Sequence, residues 1–174
     1  MKLLIGLGNP GPTYLKNRHN VGFQFTEFVE NQPEIKPHII KTESQFNAEI
    51  VKLDNLIIAR PQEYMNKSGN AVQKLMQFYK ILPEDTYIAH DDLDIAVGKF
   101  KIIKRGPQIH NGLSSIDSKI GVDYWKIRIG IENRDPQNRL PGEAYVLQNF
   151  TTEERAVVQT AFSAIYAQLK PLLL

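Results

Sequence analysis

The segment Lys2-Leu3-Leu4-Ile5-Gly6-Leu7-Gly8-Asn9-Pro10-Gly11 constrains the fold of this chain more than any other. Leu3 to Leu7 is a short apolar run that breaks into glycines. It reads as a buried strand running into a tight turn. Glycines at positive φ are the expected means of making that turn. Arg18-His19-Asn20-Val21-Gly22 follows soon after. A titratable imidazole beside a rigid, amide-rich turn points to hydrolytic chemistry more than to structure alone.

Strand and helix signals then alternate. His19 to Asn31 reads as a helix with Phe25, Phe28 and Val29 on one face. Phe46 to Leu53 and Leu56 to Arg60 read as a hairpin turned at Asp54-Asn55. Val72, Leu75, Met76 and Tyr79 mark a helix that Asn66 or Ser68 would cap and Pro83 would end. Tyr87 to His90, Lys99 to Ile103 and Trp125 to Ile131 read as strands, with a helix at Asn111 to Ile120. Thr151-Thr152-Glu153-Glu154 is a capping box for a last helix. Its stripe is Val158, Ala161, Phe162, Ile165 and Leu169, and Pro171 is expected to stop it. The expected fold is a single α/β domain over residues 1–174. It has three layers, with a mixed, mostly parallel central sheet flanked by helices.

Composition narrows the function. A chain of 174 residues can bury a proper core without staples. The net charge of +2 gives no global basic field, so any nucleic-acid footprint must be local. There are no cysteines, which excludes disulfides, thiolate nucleophiles and thiolate metal sites. The first apolar run ends too soon for a signal peptide, and no stretch is long enough to span a bilayer. A cytoplasmic monomer, without membrane or protein partner, is the expectation.

Gly6-Leu7-Gly8-Asn9-Pro10-Gly11 matches the dinucleotide-binding pattern G-x-G-x-x-G. That loop works by offering backbone N–H groups to a pyrophosphate, and Pro10 and Pro12 remove two donors. The turn instead presents Asn9, whose amide both donates and accepts. His19 suits a general base, and a surface or capping role is the plain alternative. Asp91 follows a strand, and α/β sites gather at the carboxyl ends of strands. If both segments share one rim, Asp91 fixes the tautomer of His19 and favours its charged form. A metal site built from His90, Asp91, Asp92 and Asp94 is the rival, though no second carboxylate cluster completes a shell. Asp92 and Asp94 otherwise read as a solvated turn. Asn66 and Asn111 each stand near a helix start, where capping and substrate contact are compatible. No nucleophile elbow is present, which leaves water as nucleophile. Lys99, Lys101, Lys104 and Arg105, with Arg128, Arg134 and Arg139, read equally as a phosphate track or a solvated sheet edge.

Taken together, these blocks resemble the bacterial-type peptidyl-tRNA hydrolases. The blocks are Gly6 to Gly11, Tyr14, Arg18 to Gly22, Pro61 with Tyr64-Met65-Asn66-Lys67-Ser68-Gly69, His90 to Asp94, and His110-Asn111-Gly112-Leu113. The resemblance implies cleavage of the ester joining a peptide to the terminal ribose of tRNA, with no cofactor and no metal. It implies His19 as general base and Asp91 as the group that holds it. Asn9 would sit beside the catalytic water and help tell blocked from free aminoacyl groups. Asn66 and Asn111 would hold the substrate, with Tyr14, Tyr64, Met65 and His110 lining the same pocket. A non-catalytic RNA-binding or splicing factor on the same fold is the alternative. The chain departs from the family where Lys104-Arg105-Gly106-Pro107-Gln108-Ile109 replaces a run of glycines. It departs again at Glu63, and the likeness fades after Phe150.

Overall fold

Two antiparallel edges enclose a parallel centre in one seven-stranded sheet. The computed structural model describes residues 1–106 and 109–174. In chain order the strands are β1 (Lys2–Gly6), β2 (Ile40–Glu43), β3 (Ala48–Lys52), β4 (Leu56–Pro61), β5 (Thr86–Ala96), β6 (Phe100–Ile103) and β7 (Trp125–Glu132). Their order across the sheet is β2-β3-β4-β1-β5-β7-β6. The pairs β4–β1, β1–β5 and β5–β7 are parallel, and the outer pairs are antiparallel. The helices are α1 (Val21–Glu30), α2 (Ser68–Tyr79), α3 (Asn111–Ile120), α4 (Gly142–Val146) and α5 (Thr152–Leu173).

Strand alternation divides the core in two. Leu4, Ile58, Tyr87 and Ala89 face one layer, where Phe25, Tyr145 and Phe162 bring in α1, α4 and α5. Leu3, Ile5, Ile57, Ala59 and Ile88 face the other, against Val72 and Leu75 of α2 and Ile116 of α3. Phe25 and Phe162 are fully buried and meet edge to face at 5.4 Å. Among the described residues no helix is long and apolar enough to cross a membrane.

Several local expectations change. Only Gly11 of the opening glycines has a positive φ, at 103°. Gly6 and Gly8 are required by close approach instead. A Cβ on Gly6 would lie 2.4 Å from the Gly22 carbonyl oxygen, and one on Gly8 would lie 2.7 Å from the Phe23 ring. The first helix begins at Val21, because Arg18–Asn20 forms a separate 3-10 turn. Neither Asn66 nor Ser68 caps α2, which follows another 3-10 turn, Met65–Lys67, with no side-chain cap. That helix ends before Pro83, at Lys80 in the left-handed conformation (φ 55°). Pro171 does not stop α5, which runs on to Leu173. Proline has no N–H to donate to the carbonyl four residues back, and one lost bond in the last turn is tolerated. The short α4 was not foreseen at all.

Candidate active site

Parallel pairing sets Gly6 beside Ala89, so the carboxyl ends of β1 and β4 and the middle of β5 share one rim. Asn9 follows β1, Tyr64 to Asn66 follow β4, and Asp91 lies on β5. His19 arrives on the 3-10 turn before α1, and His110 and Asn111 arrive at the start of α3. Asn9, His19, Tyr64, Met65, Asn66, Asp91, His110 and Asn111 all line one cleft of about 670 Å³. Tyr14 does not: it lies in the 3-10 turn Pro12–Tyr14 that follows Gly11, away from the cleft lining. Glu63 accepts a hydrogen bond from Asn70 and does not line the cleft either. Of the segment that departs from the glycine pattern, Pro107 and Gln108 lie outside the described residues.

Asp91 Oδ1 is the centre of the site. His19 Nδ1 donates to it at 2.8 Å and His110 Nε2 at 2.9 Å. The second bond fixes a tautomer. His110 is the N-cap of α3, and its Nδ1 accepts from the backbone N–H groups of Gly112 and Leu113. An accepting Nδ1 carries a lone pair, so the proton sits on Nε2 and points at Asp91. His110, and not Asn111, therefore caps the helix, and it lines the cleft as well. With Nδ1–H committed to Asp91, His19 keeps an unprotonated Nε2.

Electrostatics follow from this geometry. Burial opposes the charge on Asp91, but the His110 and His19 imidazoles outweigh it and hold the carboxyl well below the usual range. Burial also opposes a charged His19, and the Asp91 carboxylate outweighs that, raising its pKa. His90 is different. Burial, with His110 beside it, pushes His90 down to about 3. It is fully buried and donates from Nδ1 to the Asp91 carbonyl oxygen at 2.7 Å.

Asn9 is held on three sides. Its Oδ1 accepts the Met65 N–H at 2.9 Å, which leaves its Nδ2 hydrogens as the presented donors. The Asn20 amide clamps the Asn9 backbone, accepting its N–H and donating to its C=O, each at 2.9 Å. Asn20 is fully buried. Its role was missed, because nothing local to a helix start says that its amide reaches back 11 positions to the Asn9 backbone.

The acidic run splits, with Asp91 lining the cleft and Asp92 pairing with Arg128. It is not a turn, because β5 continues through it to Ala96. Asp92 is buried and accepts from Arg128 Nε at 2.6 Å, while Asp94 is exposed. The rival metal cluster of His90, Asp91, Asp92 and Asp94 does not converge among the described residues. Among the described residues, the ligand-type atoms that lie within 4.8 Å of one another belong to His19, Asp91 and His110. Here they bond to each other. The basic cluster splits too. Arg134 and Arg139 pair with Glu132, and Arg105 pairs with Asp123. Among the described residues, Lys99, Lys101 and Lys104 form no salt bridge.

A second buried pair supports the rim. Arg18 Nη2 meets Glu154 Oε2 at 2.7 Å, and the Arg18 guanidinium lies 4.0 Å over the Tyr145 ring. Glu154 is also the capping-box acceptor of α5, so one carboxylate ties the His19 turn to α4 and α5.

Fold and site together define an α/β protein with a carboxylate-oriented imidazole in an open cleft at the rim of its sheet. The peptidyl-tRNA hydrolase family model matches residues 3–174, so the likeness continues past Phe150 to the last helix. Peptidyl-tRNA hydrolase of Methylobacterium sp. (strain 4-46) is 37% identical over 166 residues, covering 95% of this chain and 81% of that protein. That of Maricaulis maris is 36% identical over 170 residues, covering 97% of this chain and 84% of that protein. The crystal structure of peptidyl-tRNA hydrolase from Acinetobacter baumannii superposes with a TM-score of 0.87 at 31% identity, covering 99% of this chain and 88% of that one. This chain belongs to the peptidyl-tRNA hydrolase family.

Proposed function

We propose that this chain hydrolyses the ester between a peptide and the 3'-terminal ribose of tRNA, with His19 as general base on water. The observation that carries the reading is the 2.8 Å bond from His19 Nδ1 to Asp91 inside the cleft. It leaves Nε2 to take a proton from water as the oxygen attacks the ester carbonyl. The positive charge that forms on the imidazole faces an anion that His110 already orients. The same proton then goes to the departing ribose oxygen, and the bond to the peptide breaks. General-base assistance contributes about 10²–10⁴-fold, enough to matter for an ester, which is more reactive than an amide.

Asn9 presents Nδ2 hydrogens beside that water, and the exposed Asn66 and Asn111 amides flank the cleft. Such donors hold a peptide backbone and the developing oxyanion. Tyr64 and Met65 complete the wall, and Tyr14 acts outside it. The lysines at positions 99, 101 and 104 supply phosphate contacts, since carboxylates occupy the nearby arginines. The reading places the protein in the cytoplasm as a monomer that acts on peptidyl-tRNA during translation. The test compares N-acetylaminoacyl-tRNA with free aminoacyl-tRNA, with and without excess chelator. Release of the blocked amino acid alone, unchanged by chelator, is the expected result. Binding of tRNA without hydrolysis would favour the non-catalytic alternative, and loss of activity in chelator would favour a metal at His19, Asp91 and His110.

A further inference from the structure

The polar half of the cleft serves the ester and the peptide backbone, but much of its lining is apolar. Leu93 comes from β5, Ile109 from the segment before α3, Val146 and Leu147 from the end of α4, and Tyr64 from the segment after β4. Four separate parts of the chain thus deliver large apolar side chains to one concavity. Ile109 is fully exposed, and Tyr64 and Leu147 are 61% and 48% exposed. A single exposed apolar residue needs no explanation, but several gathered in a cleft mark a surface that a ligand covers. The position of Ile109 is telling. It directly precedes His110, whose ring lies 5.2 Å from that of His19. The side chain borne on the carbon next to the attacked carbonyl is the part of the substrate that reaches it. Glu143 is on the same wall, and among the described residues it and Asp91 are the carboxylates that line the cleft.

Building on the hydrolase reading, we propose that this wall, with Ile109 as its principal residue, is a specificity subsite. It takes the side chain of the amino acid esterified to tRNA. It favours bulky apolar side chains and, through Glu143, disfavours acidic ones. Its binding energy comes from covering Ile109 and Leu147, which water surrounds in the free protein.

The test uses one tRNA carrying N-acetyl-leucyl, N-acetyl-phenylalanyl, N-acetyl-glycyl or N-acetyl-aspartyl groups, so that the nucleic acid is constant. Wild-type kcat/KM is expected to favour the leucyl and phenylalanyl esters over the glycyl ester by about tenfold, the scale of a few methylenes in an apolar pocket. The aspartyl ester is expected to be the poorest. Ile109→Ala and Leu147→Ala should each lower the apolar-to-glycyl ratio several-fold, and Glu143→Gln should raise the aspartyl ester relative to the glycyl one. Circular dichroism checks that each variant is folded, and neither Ile109 nor Leu147 is a core residue. Equal wild-type kcat/KM for the four esters would overturn the subsite. An equal loss on all four in Ile109→Ala would also overturn it, by assigning the wall to the terminal nucleotide common to every substrate. Hydrolysis of none of them would instead overturn the hydrolase reading on which the subsite rests.

Discussion

At the scale of single residues, the account turns on one carboxylate oxygen shared by two imidazoles. The pH dependence follows from the directions of the shifts. Asp91 raises the pKa of His19, so the base loses its free Nε2 as pH falls through that raised value. Activity should therefore decline on the acid side with a single ionisation. Asp91→Asn removes the anion, so His19 titrates lower and the acid limb of kcat/KM moves to lower pH. The plateau falls at the same time, because the charged imidazole formed during attack loses its partner. A pH–rate profile of both proteins checks this, and an acid limb that does not move would show that Asp91 does not act on His19. The residues of this centre were legible in the sequence as types, namely His19, Asp91 and Asn9. Their connection was not. Nothing local says that His110 spends one nitrogen on a helix cap and aims the other at Asp91, since the bond spans 19 positions.

At the scale of elements, packing explains what local patterns could not. Periodicity located α3, β7 and the capping box of α5, because each is set by its own residues. It failed at the 3-10 turns, at α4 and along the acidic run, where tertiary partners override local preference. Asp92 reads as a turn residue and is instead a buried strand residue because Arg128 on β7 meets it. The glycines were legible and their reason was not. Gly6→Ala would press a methyl against the Gly22 backbone and should destabilise the protein by about 1–3 kcal/mol, the usual cost of overpacking. Urea unfolding measures it, and a neutral substitution would show that β1 and α1 can separate freely. The Arg18–Glu154 pair joins the His19 turn to α4 and α5, and both partners are buried. Glu154→Gln should cost about 3–5 kcal/mol, since it leaves a buried guanidinium uncompensated. A change below about 1 kcal/mol, the scale of an exposed pair, would contradict that role.

At the scale of the whole molecule, the alternation of strands and helices was enough to give the layered architecture, and the hairpin was enough to make the sheet mixed. The cleft itself was out of reach, because it is made where two strand ends, the middle of β5 and three helix ends happen to meet. One sheet with helices on both faces is expected to unfold as a unit. Calorimetry should give a single transition whose measured and van't Hoff enthalpies agree, and two resolved transitions would contradict a single domain. The central claim is that the protein hydrolyses peptidyl esters of tRNA by way of the His19 imidazole. The most direct measurement is turnover of N-acetylaminoacyl-tRNA by the wild type and by His19→Ala, with folding and tRNA affinity measured on the same samples. The account predicts a kcat lower by about 10²–10⁴-fold in the variant with fold and affinity retained. A folded variant that binds tRNA and turns over near the wild-type rate would contradict it.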